Sequence, residues 1–191
     1  MITSKTSYKQ YVAQDLAARG ISRYSILDYW RQDCLRFQLR LRKLEYLKNV
    51  CSRNPFCRLQ FFILDIINHR LATRLGFSIP KNVFGAGLCI VHFGTIVVSA
   101  KARIGENCRI HPSTCIGEYN GAPTIGNNVY IAPGAKLFGD ITVGNNVAIG
   151  ANAVINSDVP DNVTVGGIPA RIVSQKSSIE CGVFPETFLK V

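Results

Sequence analysis

From Val98 onward an aliphatic residue returns every six positions. The units read VSAKAR, IGENCR and IHPSTC, then Ile116. After a longer step come IGNNVY, IAPGAK, LFGDIT, VGNNVA, IGANAV and INSDVP. Gly follows the aliphatic residue at Ile104, Ile125, Val143 and Ile149, and the fifth position of each unit is apolar or small, as at Ala102, Cys108, Val129 and Val147. A helix repeats at 3.6 and an ordinary strand at 2, so a period of six is neither. Six residues suit a short strand and a tight turn, with the aliphatic side chains stacked inside a solenoid. Gly, Asn or Asp then serves each turn.

This pattern resembles the hexapeptide repeat of left-handed parallel β-helix acyltransferases, from about Ile79 to Val173. In that family three hexads close one triangular coil and three chains assemble into a trimer, with active sites between adjacent chains. Phe84 and Ile90 continue the series upstream, so the units from Phe84 to Ile155 predict about four coils. The expected fold is mainly β: a left-handed parallel β-helix over residues 78–173, preceded by an α-helical region over 1–77 and followed by a tail over 174–191.

Two steps break the period, and such breaks are where solenoids carry functional loops. Ile90 to Val98 spans eight residues and Ile116 to Ile125 spans nine. Counting three hexads per coil stacks Ile90, Ile110, Ile131 and Ile149 in one column, on parallel strands about 4.8 Å apart. His92, on the first break, and His111, just after Ile110, therefore fall near one edge of the prism on neighbouring coils. Moving an acyl group from a thioester to a hydroxyl needs a base for the hydroxyl proton, and histidine titrates close to working pH. A backbone N–H near the thioester carbonyl would stabilise the oxyanion, and Gly94 leaves room for close approach.

Residues GLCIVHFGTIVV (87–98) look like the active-site segment of serine acetyltransferases, and VGGIPARIV (165–173) looks like their C-terminal signature. The resemblance implies His92 as general base. It also implies acetyl-CoA lying along the solenoid edge, against Pro133 and Ala151, with Arg171 and Lys176 toward the CoA phosphates. Three departures stand out. Serine acetyltransferases place an Asp directly before the catalytic His, where this chain has Val91, and another about fifteen residues upstream, where it reads Phe77-Ser78-Ile79. A second His, used toward serine, would fall near Ala122. The whole chain is more similar to the O-acetyltransferases of bacterial surface-polysaccharide synthesis. It shares their basic helical start, GFSIPKN (76–82), the hydrophobic-His-Phe-Gly segment and Ile110-His111. There His111 helps position the acceptor hydroxyl or His92, while Glu118, Tyr119 and Asn120 on the nine-residue break offer acceptors and a stacking ring to a sugar.

Charge separates the two regions. Residues 1–83 hold fifteen basic and five acidic residues, and residues 84–191 hold seven of each, so the net +10 sits ahead of the repeat. Helices are predicted over 8–19, 25–50 and 54–75, punctuated by Gly20 and Asn54-Pro55. The run LRFQLRLRKLEYLK places Arg36, Arg40 and Lys43 around a leucine-bearing helix, a basic solvated face that would meet anionic headgroups or an acidic glycan. No nucleic-acid-binding motif accompanies the charge. His69, within the third helix, reads as structural. At 47% hydrophobic the chain is too apolar for disorder. Its start lacks the apolar core of a signal peptide, and the stretch Leu59 to Ile67 is too short to span a bilayer. Seven cysteines without paired short spacings suit reduced thiols. A cytoplasmic setting is expected, with peripheral contact at the inner face of the membrane as the sharper option.

The sequence thus points to an acetyl-CoA-dependent O-acetyltransferase, a homotrimer acting on a hydroxyl of a surface polysaccharide or its precursor sugar. Serine O-acetylation for cysteine synthesis is the first rival. A zinc site of the γ-class carbonic anhydrase kind needs three converging histidines and only two are suitably placed, so no metal is expected. A non-catalytic scaffold is the remaining alternative.

Overall fold

The computed structural model describes residues 1–185. Short strands stack into three parallel faces of a β-solenoid. One face aligns Val98, Ile116, Leu137 and Ile155. A second aligns Phe84, Ile104, Ile125, Val143 and Val159. The third aligns Ile90, Ile110, Ile131, Ile149 and Val165. The last column contains the four residues that the hexad count stacks together. All five of its side chains are buried, and each contributes about 1.5–3 kcal/mol relative to exposure. The solenoid makes about five coils rather than four. The strand Phe77–Ser78 adds a rung before the hexads begin, and Val159 and Val165 add another after a four-residue step that conceals the period.

One corner explains the Asn in the repeat. Asn107, Asn128, Asn146 and Asn162 all adopt positive φ, between 56° and 61°, and Asn tolerates this left-handed region better than other residues with a Cβ. Their side-chain amides form a ladder from coil to coil at 2.8–2.9 Å. The segment around Ser178 folds back on this corner, where the Ser178 hydroxyl donates to the Asn128 carbonyl at 2.6 Å. Of the tail expected over 174–191, residues beyond Pro185 lie outside the described chain.

Four helices precede the solenoid: α1 (Lys5–Ala18), α2 (Ile26–Arg31), α3 (Asp33–Asn49) and α4 (Pro55–Leu75). The single helix expected over 25–50 is two, because Gln32 is extended (φ −101°, ψ 92°) and closes α2 before α3 starts. The basic solvated face expected along α3 is also corrected. Arg42 is fully buried and Arg36 nearly so.

The reason lies at the open end of the solenoid. The first coil has a free strand edge, whose N–H and C=O groups must find partners once covered. Side chains of α1, of Arg19 just after it, and of α3 supply them. Arg42 donates to the carbonyls of Phe84, at 3.0 Å, and Gly85, at 2.5 Å. The Asp15 carboxylate accepts from Leu88 N–H and the Glu45 carboxylate from Asn82 N–H. Gln38 bonds both Leu88 C=O and Ile90 N–H, and Arg19 donates to Ile90 C=O. Burial would lower the Arg42 pKa, but the charges of Asp15 and Glu45, at 2.8 and 2.9 Å, outweigh it and raise it.

Candidate active site

The loop carrying His92 is fixed on both sides. Two residues before it, Ile90 is bonded by Gln38 through its N–H and by Arg19 through its C=O. Two residues after it, Gly94 N–H donates to the last carbonyl of α4, Leu75, at 3.0 Å. Between these points His92 and Phe93 are exposed. No described residue hydrogen-bonds the His92 imidazole, consistent with Val91 in the position before it.

Gly94 differs from its expected role. Its φ is +135°, and a Cβ there would stand 2.9 Å from the Pro112 side chain. The room it leaves is taken by the loop of the next coil, and its N–H is already committed to Leu75. It is a packing joint between the His92 loop and the His111-Pro112 loop, not a donor free for an oxyanion.

His111 lies on the neighbouring coil at the same corner. Its N–H donates to Ile131 C=O at 3.2 Å and its ring meets Tyr130 edge-on, centroids 5.1 Å apart. Its Nε2 is buried with no partner. Burial first, then the positive charges of Arg109 and His92, push its pKa down to about 4. His111 is therefore neutral at pH 7, and the pairing of Ile90 with Ile110 sets its loop beside that of His92.

Further down the column, Pro133 and Ala151 occupy the positions equivalent to His92, two residues after Ile131 and Ile149, and both are exposed. The backbone joins this corner across coils, Gly134 N–H to Pro112 C=O and Asn152 N–H to Pro133 C=O. Arg171 lies beyond the last coil on the same face, in the antiparallel hairpin Thr164–Gly167 with Ala170–Ser174. Its guanidinium is exposed and donates to its neighbour, Ala170 C=O, at 2.7 Å. Lys176 is exposed just after this hairpin.

Glu118, Tyr119 and Asn120 do not join His92 within one chain. They follow Thr114–Gly117, one face further round the coil, and so occupy a different corner. There Glu118 is engaged by the Ser99 hydroxyl at 2.9 Å and Lys101 at 3.4 Å. The Ser99 bond, then Lys101, lowers its carboxyl pKa. Tyr119 is exposed. His69 is exposed on α4, away from the corner. Among the described residues no cluster of His, Cys, Asp or Glu has the arrangement to hold a metal, and the seven cysteines are free.

The residues that sequence reasoning missed are Arg19, Gln38 and the Asp15–Arg42–Glu45 cluster, which hold the edge from which the His92 loop departs. The signal was present: Gln38, Arg42 and Glu45 recur at i, i+4 and i+7, a polar stripe on one face of an otherwise leucine-rich helix.

Residues 122–157 match the family described as "Bacterial transferase hexapeptide (six repeats)". A serine acetyltransferase from Staphylococcus xylosus is 43% identical over 101 residues, covering 50% of this chain and 47% of that protein. The chain spans about half the length of the curated relatives it matches. A Neisseria gonorrhoeae serine acetyltransferase solved in complex with serine superposes with TM-score 0.67 at 25% identity, over 87% of this chain and 69% of that one. A serine acetyltransferase solved in complex with CoA gives TM-score 0.68 at 24% identity, over 88% and 71%. The chain therefore has the hexapeptide-repeat, serine acetyltransferase-like fold: a parallel solenoid behind a helical region. These relatives do not bear out the closer resemblance to surface-polysaccharide O-acetyltransferases.

Proposed function

We propose that the chain is an acetyl-CoA-dependent O-acetyltransferase with His92 as general base, and that its acceptor is L-serine, as the names of its relatives indicate. The carrying observation is His92 itself, exposed on a loop pinned at Ile90 and Gly94, at a corner of a solenoid of this fold. His92 takes the hydroxyl proton while the oxygen attacks the thioester carbonyl. The tetrahedral intermediate collapses, the C–S bond breaks, and the CoA sulfur recovers the proton from the imidazolium. Neutral His111 suits this step, because a second positive charge beside His92 would oppose imidazolium formation. The exposed positions of Pro133 and Ala151 continue the His92 corner toward Arg171 and Lys176. Small side chains there admit the thin pantetheine arm, and the two cations meet CoA phosphates.

In a homotrimer with sites between chains, the Glu118–Asn120 corner of one chain would face the His92 corner of its neighbour. That arrangement reconciles the separation of the two corners within one chain.

A second reading, a sugar hydroxyl as acceptor, is favoured by one specific feature. An amino acid needs partners for its ammonium and carboxylate, yet Val91 and Ala122 stand where serine acetyltransferases carry Asp and His. Thiol release from acetyl-CoA, measured with L-serine and with a panel of sugars, separates the readings. With the true acceptor, His92→Ala is expected to lower the rate by about 10²–10⁴ while the assembly keeps its mass. An unchanged rate would refute the base assignment.

A further inference from the structure

Helix α4 is apolar on both sides. One side packs inward through Leu71 and Leu75. The other presents Phe56, Leu59, Ile63, Ile66 and Ile67 at helical spacing, with Phe62 beside them, and they are exposed by 41–81%. Next to this stripe α2 adds Ile26, Leu27 and Trp30, each at least 60% exposed. Contiguous apolar exposure on this scale marks an interaction site.

The border of this patch is cationic. A groove of about 380 Å³ joins the two helices between Trp30 and Ile67, with Arg36, Arg40, Arg70 and Arg74 around it. Arg36 also holds the tryptophan in its outward position, donating to Trp30 C=O at 2.7 Å with its guanidinium 5.5 Å from the ring centroid. The carboxylates of this region are already engaged: Asp33 with Arg36 and Arg74, Asp65 with Lys81, and Asp28 with the Ser25 cap. Arg58 and Arg70 have no carboxylate in salt-bridge reach among the described residues.

We propose that the outer face of α4, with α2, is a docking surface for an anionic lipid bilayer. Charge complementarity selects this occupant. A second copy packed here face to face would set arginine against arginine, whereas a phosphate-bearing surface matches both the apolar stripe and its cationic rim. No helix among the described residues is long and apolar enough to cross a membrane, so the 21-residue helix would lie along the surface for about 30 Å. This places the contact on α4 and α2, with Arg36 and Arg40 of α3 only bordering the groove, while Arg42 faces inward.

Trp30 is the chain's single tryptophan, so it reports directly on this patch. The test titrates the full chain with vesicles of phosphatidylglycerol and phosphatidylcholine, or of phosphatidylcholine alone, following co-sedimentation and Trp30 emission. Anionic vesicles are expected to pellet the protein and shift the emission to the blue, with binding that weakens as salt rises; neutral vesicles do neither. The double variant Phe62→Ser, Ile63→Ser and the variant Arg70→Glu each should lower the affinity by about tenfold. Their substitutions lie on the exposed face, so thermal midpoints should match the parent. Absence of pelleting, equal pelleting by neutral vesicles, or unchanged binding by both variants would overturn the proposal. So would a drop in assembly mass in the Phe62→Ser, Ile63→Ser chain without vesicle binding by the parent, which would identify the patch as an interface between copies.

Discussion

Replacing Arg42 by Met tests whether the helices are held to the solenoid by its unpaired edge. The Arg42 guanidinium has no solvent exposure. It makes two hydrogen bonds to Asp15, at 2.8 and 3.2 Å, one to Glu45 at 2.9 Å, and one each to the carbonyls of Phe84 and Gly85. Met fills a similar volume but donates nothing. Breaking a buried ion pair from one side costs about 3–5 kcal/mol, and each carbonyl left without a donor adds about 1–3 kcal/mol. Water entering the gap recovers part of this, so a net loss of about 5 kcal/mol is expected. At roughly 2–4 °C per kcal/mol for a chain of this size, the melting temperature falls by about 10–20 °C. A scanning calorimetry trace of each purified protein measures it. The triple variant Arg42→Met, Asp15→Leu, Glu45→Met sharpens the test by removing the buried charges altogether. If the cluster were only an ion-pair network, that replacement would be close to neutral. If it caps the edge, the N–H groups of Asn82 and Leu88 and the two carbonyls remain unmet, and the triple variant stays well below the parent. A single variant within about 2 °C of the parent, or a triple variant that regains full stability, would refute the reasoning.

Two further outcomes follow from the corner itself. His111, with its pKa pushed down to about 4 from the ordinary imidazole value of about 6.5, binds fewer protons folded than unfolded between those values. Stability should therefore fall as pH drops from about 6.5 to 4. His111→Gln should flatten that slope in urea titrations, and a folded-state NMR midpoint near 6.5 would contradict the burial argument. Gly94→Ala places a Cβ 2.9 Å from Pro112 at a φ of +135°; it should lower activity by shifting His92 while far-UV circular dichroism keeps the solenoid signature, and wild-type turnover would show that the joint is not needed.

Much of this architecture is legible in the chain because a period of six is a direct imprint of one strand and one turn. The column Ile90, Ile110, Ile131, Ile149 follows from counting alone, and with it the approach of His92 and His111. The same count places the break after Ile116 one face away from the break after Ile90. Glu118, Tyr119 and Asn120 therefore belong to another corner of their own chain, a third of a turn from His92. The inward Arg42 was harder to see. A sequence displays the charge of a guanidinium but not the row of free carbonyls that makes its burial favourable. Those carbonyls exist only because a solenoid has an end, and the end becomes visible when its strands are assembled. Likewise, the apolar outer stripe of α4 looks like core in a hydropathy pattern, since apolarity alone does not say which face meets protein.

The location of His92 on the first coil then has a physical consequence. Interior coils are bonded on both edges by their neighbours and would keep their shape without help, whereas the first coil depends on whatever covers it. Here that cover is Arg19, Gln38, Asp15, Arg42 and Glu45 on one side of the loop and the carbonyl end of α4 on the other. The helices are therefore part of the support of the proposed base. The net +10 carried by residues 1–83 divides between two tasks. Arg19 and Arg42 turn inward to close the edge and hold the His92 loop, while Arg58, Arg70 and Arg74 stay outside and border the apolar face of α4.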